Sequence, residues 1–242
     1  MNEISDIVVN LLADFVDKTE EFKGNSIPKC ELKLVDDIYK YVLQDDCEYA
    51  IDVQESIQRA YGLCYITKKN TITLFIDIKA GMTIISSTLH EFTHAYDFSL
   101  MSNCMREKNL RKVQANASFR LWSEFHAEYL TYLYLFRVNG LSKSEIEVFE
   151  GLRGELEKFF GENQRMELSK LVDFTVRLYG RYMALLKTYP DTMKKYPYRF
   201  FVNKDFLRLY DYLYEHKTFD SIKGNVSELE SVFRGLERLS RI

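Results

Sequence analysis

The sequence predicts an α+β fold: a small β-sheet, a pair of long helices, and then a mostly helical C-terminal part. Three observations carry this. Residues 71–78 are rich in β-branched and aromatic side chains and follow a similar run at 60–67 across Lys68, Lys69 and Asn70, the pattern of a hairpin. Apolar residues then switch to helical spacing, at Ile85, Leu89, Phe92 and Tyr96 and again at Leu121, Phe125, Tyr129 and Tyr132 or Leu133. Past Ser142 the helical pattern hardly breaks.

In chain order, residues 2–22 read as an amphipathic helix with Ile4, Ile7, Val8, Leu11, Leu12 and Phe15 on its inner side, and 24–28 as a break. A helix is expected near 35–43 and a first strand at 49–53, ahead of the hairpin. Gly81 then interrupts the chain, and Thr83 is placed to cap a helix running to about Leu100. A second helix is expected over 118–137. Further helices are expected near 142–160, 166–187, 204–215 and 227–239, the first opened by a capping box at Ser142 and Glu145, with Pro190 and Pro197 marking a loop. The division expected is a core at 1–141 and a helical subdomain at 142–242 packed on it.

Composition excludes several classes of protein. At 242 residues and 46% hydrophobic content, the chain can bury one substantial core or two small ones. Its 33 basic and 36 acidic residues are well mixed, so bulk charge does not point to a nucleic-acid partner. No window approaches the ~18 consecutive apolar residues of a membrane span, and the residues after Met1 lack the basic and apolar regions of a secretory leader. Cys30, Cys47, Cys64 and Cys104 are widely spaced, which reads as free, mostly buried thiols in a reducing compartment and a cytoplasmic location.

His90-Glu91-Phe92-Thr93-His94 is the stretch that carries chemistry. On a helix, residues i and i+4 lie one above the other, so His90 and His94 can hold one metal ion through neutral imidazole nitrogens. Glu91 is turned from His90 by ~100° and can stand beside the ion, where a carboxylate can take a proton from a water the ion has acidified. Ligand type favours Zn²⁺, although Fe²⁺, Mn²⁺ and Co²⁺ also fit a site of two His and one Glu.

A hydrolytic site needs a third protein ligand and one open position. Candidates lie in the second helix, at Glu124, His126 and Glu128. His126 is ~200° around the helix from Glu124, so those two cannot face one ion together. Two Glu at i, i+4 are more often a solvated face, and the upstream pair of His is what makes them candidates. Asp97, three residues after His94, can accept a hydrogen bond from an imidazole or sit exposed on the last turn of its helix.

A strand leading into a helix that bears His-Glu-x-x-His resembles the zincin metallopeptidases, in which an edge strand can hold an extended peptide. The metzincin branch, with Gly and His further along, is excluded by Asp97 and Leu100. The second helix resembles that of the gluzincins. That resemblance implies Glu124 as the third ligand and Glu128 as the acid that orients His90, although Asp is usual at the second place. Glu124-Phe125-His126-Ala127 is also similar to the Glu-x-x-Ala of intracellular zinc peptidases from phages and conjugative elements, whose following Asn and Phe are here Glu128 and Leu130.

The resemblance implies a zinc-dependent peptidase acting on a peptide or protein substrate, with Glu91 as general base. Two other classes share the motif: a regulatory or binding module that keeps the ligands without turnover, and a hydrolase of a non-peptide bond. Gluzincins also carry a Tyr, His or Arg that stabilises the oxyanion, and Tyr189, Tyr196, Tyr198, Arg199 and His216 are available.

Overall fold

Apolar and charged residues alternate in the first strand of the sheet. In the computed structural model, which describes residues 2–140, 150–151, 154, 168–194 and 204–237, the first strand is β1 (Cys30–Val35). Leu32 and Leu34 of β1 point to one face, where they meet Val8, Ile76 and Ile84, while Glu31 and Lys33 pair at 3.0 Å. The hairpin is as expected: β2 (Gly62–Ile66) runs antiparallel to β3 (Ile72–Asp77). Strand order is β1-β3-β2, with β1 parallel to β3, so the fold is α+β with a small mixed sheet. Central β3 is buried on both faces, as its near-continuous apolar run requires.

Residues 49–53 are not a strand. They belong to α3 (Cys47–Asp52), which follows α2 (Ile38–Asp45) and precedes α4 (Gln54–Gln58). Asp37 and Asp46 open the first two of these helices, their carboxylates accepting from Lys40 N–H at 3.1 Å and Tyr49 N–H at 3.3 Å. Strand alternation would put Tyr49, Ile51 and Val53 on one face. Instead Ala50 is buried, Tyr49 and Val53 pack beside it, and Ile51 is exposed, which is helical spacing. These three short helices cover one face of the sheet.

The other face is covered by α1 (Asn2–Lys18) and α5 (Thr83–Met105). The inner side of α1 is Val8 and Phe15, with Leu11 and Leu12 half-buried; Ile4 and Ile7 are exposed, contrary to the pattern expected of them. A knot of rings ties α1 and the following turn to α5: Phe22 lies 5.1 Å from Phe15, 5.6 Å from Phe92 and 4.7 Å from Tyr96. Met82 holds the cap position of α5, and Thr83 lies just inside, its hydroxyl bonded to Ala80 O. The helix runs five residues past Leu100 and stops where Arg106 turns left-handed at φ 52°. The N–H groups of Arg106 and Glu107 bond back to Asn103 O and Ser102 O, a Schellman end made without glycine. The short α6 (Leu110–Gln114) follows.

Residues 1–115 form one compact unit and residues 116–242 a second. The second opens on α7 (Ala117–Asn139), capped by Asn116 through its carboxamide oxygen to Phe119 N–H at 2.9 Å and ended by Gly140. Then come α8 (Leu168–Thr188), α9 (Pro190–Met193), α10 (Lys204–Glu215), α11 (Phe219–Ile222) and α12 (Val226–Glu237). Three of the four helices expected after Ser142 thus appear within a few residues of their expected bounds. The helix expected at 142–160 lies outside the described residues but for 150–151 and 154, and its capping box lies wholly outside them. Gly180 lets α8 press against α7: a Cβ there would stand 2.5 Å from Phe125 O and 2.7 Å from Glu128 Cβ.

No helix among the described residues is long and apolar enough to cross a membrane. All four cysteines are free, but Cys47 and Cys104 are exposed, so the expectation of mostly buried thiols fails for those two.

Candidate metal centre

Helix α5 carries His90, Glu91 and His94 through the middle of its unit. From Thr88 to Phe98 every residue is buried except Glu91. The helix is therefore packed on every side at this level, and the one partly exposed side chain is the carboxylate expected as base. His90 and His94 turn their Nε2 atoms toward each other, 3.0 Å apart, with His94 stacked on Phe98 at 5.8 Å. Asp97 is fully buried within the helix, which excludes the exposed last-turn position.

Glu91 is held by the edge of the sheet. Its Oε2 accepts the backbone N–H of Cys64 at 2.7 Å, a short, charge-assisted bond. Gly62 makes room for it, since a Cβ there would lie 2.8 Å from Glu91 Cγ and 3.2 Å from Oε1. The absence of a side chain at Gly62 thus serves the close approach of a functional group to β2.

The same burial pattern recurs on α7. From Trp122 to Thr131, Glu124 alone is not buried. Arg177 of α8 bonds Glu124 Oε2 through Nη2 at 2.7 Å and Asp173 through Nε at 3.0 Å. Glu128 receives Arg181 on both oxygens, at 2.7 and 3.4 Å. Burial works against the charge of Arg181, and the Glu128 carboxylate more than offsets it, so the guanidinium titrates above its ordinary value. His126 is fully buried and stacks on Trp122 at 4.6 Å, a packing role on its own side of the helix.

His90 and His94 offer two neutral nitrogens in the first unit, and Glu124 of the second unit offers a carboxylate. An ion with ~2.05 Å bonds to nitrogen in tetrahedral geometry has ligand–ligand edges of about 3.3 Å. The two imidazole nitrogens are already near that spacing, and two neutral nitrogens with one carboxylate are a donor set for Zn²⁺. The residues fit the ion.

The sequence reading missed Arg177 and Arg181. Their signal was present: Arg177 and Arg181 stand four residues apart, like Glu124 and Glu128 and opposite to them in sign. Of the oxyanion candidates, Tyr189 donates to Phe136 O at 3.0 Å and His216 accepts Trp122 Nε1–H on its carbonyl at 2.7 Å. Tyr196, Tyr198 and Arg199 lie outside the described residues. No protein-family model, curated protein or solved structure matches the chain.

Proposed function

We propose that this protein is a zinc-dependent peptidase of gluzincin-like arrangement, in which His90, His94 and Glu124 hold the ion and Glu91 is the general base. The observation that carries the reading is the facing of the His90 and His94 Nε2 atoms at 3.0 Å, with Glu91 the one partly exposed residue of its buried helical stretch. A divalent ion in this place supplies Lewis acidity to a substrate carbonyl and acidifies water.

The chain's own residues do the rest. Cys64 N–H fixes one oxygen of Glu91, so the other is aimed to take the proton from attacking water and pass it to the leaving amine. Arg177 sets the rotamer of Glu124, and a carboxylate already aimed at its task loses less entropy on binding the ion. Arg181 does the same for Glu128, the acid proposed to orient His90. The free thiols fit work in a reducing compartment, the cytoplasm.

A fluorogenic peptide library assayed with and without chelator tests the reading. Turnover that chelator abolishes and Zn²⁺ restores supports it. Turnover that survives chelation, or cleavage of esters but never of peptides, contradicts it.

A further inference from the structure

The sheet of the first unit has two unlike edges. On β2, Glu91 takes Cys64 N–H at 2.7 Å, Gln114 takes Cys64 C=O at 3.2 Å and Arg111 takes Ile66 C=O at 2.9 Å, so the chain's own side chains close that edge. The other edge is β1. Asp77 N–H bonds Tyr61 O and Thr67 N–H bonds Thr71 O, each at 2.9 Å. Residues 71, 73, 75 and 77 thus turn their peptide groups to β2, and residues 72, 74 and 76 turn theirs to β1. Leu74 stands opposite Leu32 in the parallel pairing, and its groups are met by Glu31 and Lys33. The N–H and C=O groups of Cys30, Leu32 and Leu34 therefore point away from the sheet. Among the described residues no strand lies beyond them.

The side chains of β1 say what fits there. Leu32 and Leu34 are only half-buried although Val8 packs on their face, and Cys30 is half-buried too. On the opposite face Glu31 and Lys33 bond each other at 3.0 Å, with Lys33 Nζ 6.0 Å from the Phe75 ring. Charge on an edge strand ordinarily keeps other strands off. Two opposite charges two residues apart do so selectively. An antiparallel copy of β1 with its two-fold axis at Leu32 sets Glu31 against the second copy's Lys33, and Lys33 against the second copy's Glu31. An axis at residue 31 sets Glu31 against itself, and an axis at residue 33 sets Lys33 against itself, each a repulsion. All three keep outward peptide groups opposite outward peptide groups, so charge decides among them.

We propose that β1 is a self-association edge, at which two copies of this chain pair antiparallel about Leu32. Residue 30 pairs with 34, 32 with 32 and 34 with 30, each pair exchanging both N–H···O=C bonds. Cys30, Leu32 and Leu34 of the two strands form one apolar row, and Glu31 and Lys33 exchange partners across the axis. β2, which holds Glu91, stays at each outer end of the joined sheet. A strand of six residues covers less than the roughly 800 Å² per partner of a standard interface, so the dimer is weak and concentration-dependent. None of this rests on the metal centre.

The test is sedimentation velocity of the full-length protein from micromolar to millimolar concentration, with circular dichroism as the check on folding. Wild type is expected to pass from monomer to dimer. Glu31→Lys and Lys33→Glu each place two like-charged pairs across the axis and should weaken self-association by about tenfold or more. Each also breaks the bond within the strand, so a merely structural role for that bond leaves both variants monomeric in any combination. The proposed register instead makes every cross-strand pair attractive when the two variants are mixed, and the equimolar mixture should dimerise about as well as wild type. Wild type that stays monomeric at every concentration overturns the proposal. So does a dimer that both variants leave intact, or a mixture of the two that does not associate.

Discussion

Gly62→Ala reads the coupling between the edge strand and Glu91. The new Cβ would stand 2.8 Å from Glu91 Cγ, 3.2 Å from Oε1 and 3.3 Å from Ile76 Cδ1. Carbon atoms rest at about 3.5–4.0 Å, so the overlap with Cγ is roughly 0.7 Å or more. Ile76 is buried in the central strand and cannot yield, so Glu91 moves. Moving it sacrifices the 2.7 Å bond to Cys64 N–H, a charge-assisted contact of about 1.5–3 kcal/mol. Against that stands a gain of about 0.4–1 kcal/mol from replacing glycine in the unfolded chain. The net expectation is a loss of about 1–2 kcal/mol. In a Glu91→Ala background the overlap with Glu91 is gone and only the 3.3 Å contact with Ile76 Cδ1 remains, so the same substitution should be close to neutral. Urea melts of the four proteins in a double-mutant cycle measure this, with an expected coupling of about 1.5–3 kcal/mol. Additivity within about 0.5 kcal/mol would refute the claim that Gly62 exists to admit Glu91.

Glu91→Gln should keep the metal and lower peptide hydrolysis by about 10²–10⁴ or more, measured as kcat beside metal content on the same sample. Gly180→Ala would push a methyl within 2.5 Å of Phe125 O and 2.9 Å of Tyr129 N; because those atoms are backbone, a loss of about 1–3 kcal/mol is expected in denaturant melts. Arg111→Met removes three donors from the β2 edge and Asp46 and should cost about 2 kcal/mol at neutral pH. The bond from Arg111 holds the Asp46 carboxyl below its ordinary value. A depressed folded value means that this stability is complete above about pH 4 and fades as pH falls through the folded value. Acid titration of Arg111→Met should therefore show a smaller decline over that range than wild type; equal declines would disprove the linkage.

The hairpin, both long helices and the facing of His90 and His94 could be read from the sequence because each rests on local pattern. Runs rich in β-branched and aromatic residues mark 60–67 and 71–78, and spacing of four marks His90 with His94 and Glu124 with Glu128. What failed was local pattern that tertiary context overruled. Tyr49, Ile51 and Val53 alternate like a strand, but Asp46 capped a helix there. The true strand, Cys30–Val35, is only six residues long and was passed over, although Leu32 and Leu34 alternate with Glu31 and Lys33. The end of α5 gave no glycine signal, since Arg106 takes the left-handed position. Nor does spacing reveal Gly62 beneath Glu91 or Arg177 against Glu124, contacts that join residues 29 and 53 positions apart.

Elemental analysis of the protein purified without added metal, beside Glu124→Ala prepared identically, bears most directly on the metal centre. The expected result is close to one zinc per chain in wild type and a large loss in the variant, with both proteins folded by circular dichroism. Wild type without a stoichiometric divalent ion that also fails to take up added Zn²⁺, or a Glu124→Ala variant that retains it fully, would contradict the assignment of His90, His94 and Glu124 as one site.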